Sequence, residues 1–225
     1  MDWSALTISL RTALAATVIT FVLGLLAAQG VARMKSGWKG LLDVIFTLPM
    51  ILPPTVAGYL LLVFFGRSGP AGRLLAIFDL SVVFSWSATV IASAVVSFPL
   101  MYRAARGALE QIDGSLYDAA RTLGVSDTYI FWKITVPIAM PGILGGTVLA
   151  FARALGEFGA TMMLSGNIPG KTQTMPMAVY SSVMSGDMAG AAVWVVLMIV
   201  LSFGMIMLMN HWTKRQMNSQ GGADA

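Results

Sequence analysis

Long apolar stretches separated by short polar segments make up most of this chain. Five of them, near 12–32, 41–65, 82–101, 140–164 and 189–209, approach or exceed the roughly 20 residues that an α-helix needs to cross a bilayer. The pattern predicts an all-α integral membrane protein, with about five transmembrane helices in one domain over 1–218. A short glycine-rich tail, 219–225, is expected to be flexible. The first stretch is read as an uncleaved span and not as a signal peptide. Its apolar core is long, Asp2 precedes it in place of a basic cluster, and no small-residue cleavage site follows. Pro49, Pro53 and Pro54 interrupt the second stretch, and Pro99 ends or kinks the third. Proline in a membrane helix frees carbonyls that neighbours must satisfy, which suits either a static kink or a hinge beside a cavity. Thr55 and Tyr59, just past that break, offer hydroxyls to any path through the membrane.

Composition agrees with this picture. Hydrophobic residues are 57% of the chain and charged residues 11%, against about 25% charged in a soluble domain, and the mean hydropathy is +0.79. Without cysteine, no disulfide, zinc finger or thiol chemistry is available. The 16 methionines suit flexible apolar packing better than metal ligation, and the lone His211 near the end of the fifth stretch reads as an interfacial residue. No metal site is expected. The net charge of +4 is small and unevenly spread, so it speaks of topology and not of nucleic-acid binding. Arg33, Lys35, Lys39, Arg103, Arg106, Arg121, Lys133, Lys214 and Arg215 fall on one side of a five-span arrangement, and Arg11, Arg67, Arg73 and Lys171 on the other. The richer side is expected in the cytoplasm, which places the amino terminus outside and the carboxyl terminus inside.

The longest polar interruption, 110–137, then faces the cytoplasm. Ser115 followed by Asp118 fits a capping box that starts a short helix. Gly124 is suited to end that helix in the left-handed region. Ser126 can cap a second short helix bearing Tyr129, Ile130, Phe131 and Trp132, with Pro137 and Pro141 limiting continuation into the fourth span. Two short helices meeting at a glycine corner, with exposed aromatics, suit a groove on a protein partner. The same features suit an amphipathic turn lying on lipid. The spacing is informative here: Asp118-Ala119-Ala120, three residues, Gly124, nine residues, Ile134-Thr135-Val136-Pro137. It resembles the E-A-A-x3-G-x9-I-x-L-P loop of ABC importer permeases, with Asp118 in place of Glu and Val136 in place of Leu. The resemblance implies that the segment is the ATPase-coupling loop, residues 126–131 forming the helix that inserts into the nucleotide-binding subunit. Contacts made by the family's glutamate are the part that Asp118, with its shorter arm, puts in doubt.

A second polar island lies inside the fourth stretch, Phe151-Ala-Arg153-Ala-Leu-Gly-Glu157-Phe-Gly-Ala160. On a continuous helix from residue 140, Arg153 would lie about 20 Å along the axis, and Glu157 one turn further. Charges in hydrocarbon are costly and face a partner or a cavity. The i, i+4 spacing lets the two neutralise each other as a packing device; equally, they can border a translocation path on which Arg153 attracts an anion. Gly142 and Gly146, lower in the same stretch, suit helix packing. The segment 165–172 imitates a phosphate-binding loop, but its first glycine is displaced by one position and Pro169 removes an amide from the cradle. With no complete nucleotide-binding motif elsewhere, the energy source is expected on another chain.

The segments FARALGEFGAT at 151–161, LPMILPPTVAGYLLL at 48–62 and SFPLMYRAARGALE at 97–110 resemble the molybdate branch of the ABC importer permeases, with sulfate and thiosulfate permeases as relatives. That resemblance spans nearly the whole chain. It implies an ABC importer type I permease fold in the bacterial inner membrane, working as a homodimer with two cytoplasmic ATPase subunits and an external oxyanion-binding protein. ATP and magnesium belong to the ATPase, and this chain holds no cofactor and catalyses no reaction. The implied cargo is a tetrahedral dianion, molybdate first, with tungstate or sulfate as alternatives. A secondary transporter driven by an ion gradient is the competing class; it calls for inverted repeats and buried coupling carboxylates. No repeat is evident and Glu157 is the one deep carboxylate. An intramembrane enzyme would need a nucleophile–base pair or a ligand cluster, and the spans carry neither.

Overall fold

The computed structural model describes residues 3–32, 34 and 36–221, with the side chains of residues 36 and 208–221 not described. Among the described residues every regular element is helical: α1 (Ser4–Ala32), α2 (Ser36–Ile51), α3 (Pro54–Phe65), α4 (Pro70–Ala76), α5 (Trp86–Glu110), α6 (Gly114–Thr122), α7 (Asp127–Ile130), a π-helical turn (Phe131–Thr135), α8 (Val136–Leu155), α9 (Gly159–Ser165), α10 (Met175–Met184) and α11 (Met188–Gly221). The expected all-α membrane fold is what the chain adopts. Four helical stretches, Ser4–Ala32, Trp86–Glu110, Asp127–Leu155 and Met188–Met207, are long and apolar enough to cross a membrane.

The second expected span, 41–65, is not a single rod. Gly37–Ile51 and Pro54–Phe65 meet at 110°. Pro49 is carried inside α2, and the turn falls at Leu52-Pro53. There Pro53 takes an extended conformation and Pro54 opens the next helix, the first-turn position where its missing N–H costs nothing. The fourth expected span, 140–164, is also broken. α8 ends at Leu155 and α9 starts at Gly159, because the Gly156-Glu157-Phe158 linker leaves helical geometry at Phe158 (φ −126°). The third span runs through Pro99 without ending and continues to Glu110, capped at its start by Ser85. The first begins at Ser4, eight residues before the apolar pattern strengthens. Residues 219–221, expected in the tail, continue α11, and 222–225 lie outside the described residues.

The carboxyl ends of α1 and α5 and the start of α8 share one core, in which Leu25, Val31, Met101, Tyr102, Leu109, Phe131 and Ile143 are buried together. At the opposite end, the Ser9 hydroxyl on α1 accepts from the Met175 N–H at 2.7 Å, and Trp3 lies edge-on to Trp194 at 5.9 Å. α1 and α5 thus run parallel, with Thr12 beside Thr89 and Gly24 beside Met101, and α8 runs back antiparallel to α5, Gly142 beside Ala108 and Gly146 beside Ala104. Small residues set the close crossings. A side chain on Gly142 would strike the Ala108 methyl at 2.6 Å, and one on Gly146 would overlap that of Ala104, so the expected packing role of this pair is to seat α8 on α5. Over Met188–Met207 α11 is apolar all round, with Val196, Ile199, Val200 and Phe203 exposed; it presents that surface to lipid or to another chain.

Candidate functional site

Two regions carry the polar residues singled out in the sequence: the loop between α5 and α8, and the pair of breaks in the second and fourth spans.

In the loop, the first cap differs from expectation. The Asp113 carboxylate, not the Ser115 hydroxyl, starts α6 by accepting from the Ser115 N–H at 2.9 Å, and this hydrogen bond holds the Asp113 carboxyl below its usual range. Asp lies far enough upstream to cap the turn that Ser115 was expected to open, and an ionised cap also meets the positive end of the helix dipole. Asp118 is consequently mid-helix and exposed, as is Ala119, while Ala120 is buried. Gly124 has φ +75° with open space around it, so it forms the left-handed corner by conformation, not by close packing. Ser126 caps α7 as expected, accepting from the Tyr129 N–H at 3.3 Å. An ion pair closes the corner: Arg121 Nε lies 3.0 Å from Asp127 Oδ1, and that carboxylate raises the Arg121 guanidinium above its ordinary value.

Beyond α7 the chain does not stop at Pro137. A π turn carries it into α8, with the Val136 N–H reaching back to the Phe131 carbonyl. The ring of Pro137 would meet the carbonyl four residues back, at Lys133. That carbonyl falls inside the wider π turn, which removes the clash. The aromatics divide between two faces. Tyr129 and Trp132 are exposed at 55% and 51%, whereas Ile130 and Phe131 are 2% and 3% exposed and packed under the loop. Phe131 is therefore an anchor within this chain, not a contact for a partner. Leu123, at 81% exposure, and Leu116 complete the apolar outer face, and neither was singled out in the sequence. Ile134 is half-buried and Pro137 exposed.

At the breaks, Arg153 and Glu157 do pair, with Arg153 Nη1 2.6 Å from Glu157 Oε2 and the Glu157 side chain 1% exposed. They are not on one helix. Arg153 sits in the last turn of α8, while Glu157 lies in the linker and its Oε1 accepts from the Ala160 N–H at 2.7 Å. A cation at the end of one helix and a carboxylate at the start of the next each meet the favourable end of a helix dipole. One ion pair therefore staples the two halves of the fourth span. Both oxygens of Glu157 are engaged within the chain, and Arg153 retains about a third of its side-chain exposure.

The two breaks face each other. A side chain on Gly159 would approach Pro54 Cβ at 3.0 Å and Thr55 N at 3.2 Å, and one on Gly58 would lie 2.7 Å from Ala160 Cα. α3 and α9 thus pack backbone to backbone. Thr55 and Tyr59 lie on the exposed side of α3, with Tyr59 55% exposed. The imitation phosphate loop is a self-closing turn: Thr172 is fully buried, donates to the Gly166 carbonyl and accepts from the Ile168 N–H at 3.0 Å. Its one O–H donor is therefore already committed within the turn. Among the described residues no cluster of His, Cys, Asp or Glu could hold a metal.

Residues 20–218 match the family described as binding-protein-dependent transport system inner membrane component. The chain is 44% identical over 223 residues to the molybdenum transport system permease protein ModB of Escherichia coli (strain K12), covering 98% of this chain and 97% of that protein. It is 41% identical over 223 residues to the protein of the same name from Haemophilus influenzae, covering 99% and 97%. Among solved structures, a bacterial ABC transporter involved in alginate import superposes with a TM-score of 0.76 at 17% identity, over 94% of this chain and 78% of that one. An inward-facing form of the MetNI methionine ABC transporter gives 0.74 at 17% identity, over 94% of both chains. With a fold shared by ABC importer permeases and a match over most of its length, this chain belongs to the family of inner membrane components of binding-protein-dependent transport systems.

Proposed function

We propose that this chain is the pore-forming permease subunit of an ATP-driven importer for molybdate. The observation that carries the reading is the near full-length likeness to molybdenum permeases, 44% identity across 98% of the chain. Two copies line the path, two cytoplasmic ATPases drive it, and an external oxyanion-binding protein supplies the cargo. The loop 110–137 faces the cytoplasm, with the amino terminus outside and the carboxyl terminus inside, a reading that the distribution of Lys and Arg supports.

The geometry supports this division of labour. The outer face of α6 and α7, with Leu116, Leu123, Tyr129 and Trp132 exposed, is the surface offered to the ATPase. The buried Ile130 and Phe131 transmit its displacement into the core shared by α1, α5 and α8. In the membrane, Thr55 and Tyr59 on α3 and the exposed part of Arg153 border the path. An oxyanion passing them meets hydroxyls and a cation already balanced by Glu157. That favours passage over tight retention, since an unpaired buried arginine would trap a dianion.

Reconstituted into proteoliposomes with its ATPase and binding protein, the chain is expected to import labelled molybdate only with ATP inside. Uptake by the chain alone, or uptake driven by an ion gradient without ATP, would overturn the reading. Competition by unlabelled tungstate and sulfate measures selectivity in the same assay.

A second expectation concerns the corner. Gly124→Val places a β-branched residue in the left-handed region at a cost of about 1–2 kcal/mol while clashing with nothing. The permease is expected to reach the membrane folded, with ATPase copurification reduced about tenfold. Gly124→Asn, which tolerates the same backbone region, is expected to retain most of it. Equal copurification for both variants and the natural chain would remove the corner from the coupling mechanism.

A further inference from the structure

The most concentrated charge cluster among the described residues lies at the root of the loop, away from the two breaks. On α2, Lys39 and Asp43 stand four residues apart; on α5, so do Arg106 and Glu110. The two pairs interlock with alternating sign. Lys39 Nζ is 2.8 Å from Glu110 Oε1, Arg106 Nε is 2.9 Å from the same oxygen, and Arg106 Nη1 is 2.5 Å from Asp43 Oδ1. The Tyr102 hydroxyl donates to Asp43 Oδ1 at 3.2 Å. One turn deeper the contact turns aromatic, with Phe46 edge-on to Tyr102 at 5.2 Å and to Phe98 at 5.6 Å.

Besides this cluster, α2 is held by Leu42 and Phe46, which are half-buried against the core of α1, α5 and α8. Of its residues with described side chains only Thr47 is buried, and Trp38, Leu41, Val44, Ile45 and Leu48 are all exposed. A helix with no core of its own takes its position from whatever grips it. Here that is chiefly one face of the carboxyl end of α5. The neighbouring face of the same turns packs against the loop, where Ala105 and Leu109 share a buried core with Phe131. Glu110 is the last residue of α5 and Asp113 already caps α6. At its far end α2 meets the 110° break into α3, and α3 is seated backbone to backbone on α9. Arg106 therefore stands between the loop and the broken second span.

We propose that the Lys39–Asp43–Arg106–Glu110 cluster, with Tyr102, is a rigid joint that carries movement of the coupling loop from the end of α5 into α2, and through it to the break beside the path. The inference rests on the importer reading given above. These are positioning residues: they touch neither cargo nor nucleotide. The joint works by keeping α2 and α5 moving as one body, and alternating charges on two helices resist both sliding and rotation where a single ion pair would resist neither.

The test measures molybdate taken up per ATP hydrolysed by the complete reconstituted complex. Asp43→Asn and Arg106→Met are expected to keep ATPase copurification and basal ATP hydrolysis, with uptake per ATP falling at least fivefold; Lys39→Gln, which leaves the Arg106 contacts intact, falls about twofold. The chain has no cysteine of its own, so K39C/E110C bridged by a short, reducible bis-methanethiosulfonate linker, which replaces the reach of the two long side chains, tethers α2 to α5. The tethered complex is expected to transport at the natural ratio and, when reduced, to lose coupling like Asp43→Asn. Should Arg106→Met fail to reach the membrane, Lys39→Gln and the tethered pair carry the test. Natural uptake per ATP in the charge variants, or a tether that blocks uptake, overturns the joint. If instead the natural complex shows no ATP-dependent molybdate uptake, the importer reading itself fails, which is a distinct result.

Discussion

Glu157→Ala is expected to lower the melting temperature of the detergent-solubilised permease by roughly 10 °C. The deletion has two consequences. It strips Arg153 of its counter-charge, and removing one partner of a buried pair costs about 3–5 kcal/mol; the low end applies because Arg153 is about a third exposed and water screens it. It also leaves the Ala160 N–H, in a fully buried residue, without the acceptor at 2.7 Å, which adds about 1 kcal/mol. A loss near 4 kcal/mol corresponds to roughly 8–16 °C for a chain of this size. Glu157→Gln keeps an acceptor for Ala160 and loses only the charge, so its shift is expected to be smaller. The double variant Arg153→Leu with Glu157→Gln removes the orphaned cation and is expected to regain most of the stability, as apolar replacement of a buried pair commonly does. Uptake by that double variant then separates the two roles left open by the sequence. Stability and transport restored together make the pair a staple and nothing more. Restored stability with uptake still absent makes Arg153 a contributor to the oxyanion path. A single Glu157→Ala variant with an unchanged melting temperature would sink the staple itself.

Much of this architecture was legible in the hydropathy pattern, and the exceptions share a cause. A hydropathy window reads composition, and composition does not change at either break. Leu52-Pro53-Pro54 is as apolar as its flanks, so the prolines announced a discontinuity without its angle, which the seating of α3 on α9 sets. The fourth span offered a clearer sign in Gly156-Glu157-Phe158-Gly159: a carboxylate between two glycines is a better linker than helix. The i, i+4 distance from Arg153 made it look like a pair on one face. In the loop, Gly124 and Ser126 were readable because their roles are local, fixed by φ and by a cap three residues away. Phe131 was misplaced because a helix of one turn has no repeat from which to read its buried face: four consecutive large residues, Tyr129 to Trp132, carry no period, and only the fold shows that Ile130 and Phe131 face inward. Asp43 was overlooked inside an apolar run, although its spacing from Lys39 mirrors that of Arg106 and Glu110.

Gly58→Leu is expected to abolish assembly of a transport-competent permease, and even Gly58→Ala to be costly. The first added carbon would stand 2.7 Å from Ala160 Cα, 2.9 Å from the Ala160 carbonyl oxygen and 2.8 Å from Met163 Cβ. Two of these are backbone atoms on α9 that no rotamer change can withdraw, so α3 must lift away from α9. Overpacking of this kind costs about 1–3 kcal/mol for the smallest change, and more for a branched side chain. The consequence is local first. Lifting α3 opens the contact between Gly159 and Pro54, which is where the two broken spans meet. Gly58→Ala is therefore expected to reach the membrane, melt about 3–10 °C lower and transport at a small fraction of the natural rate, while Gly58→Leu is expected to be degraded or to purify without uptake. Gly204→Ala is the matched control: the same substitution in a membrane helix, at a site where an added carbon meets nothing within 4 Å. It is expected to leave melting and uptake unchanged. If Gly58→Ala behaves like Gly204→Ala, then α3 and α9 are not held at this distance in the working transporter, and the facing breaks do not form the seam around which its path is built.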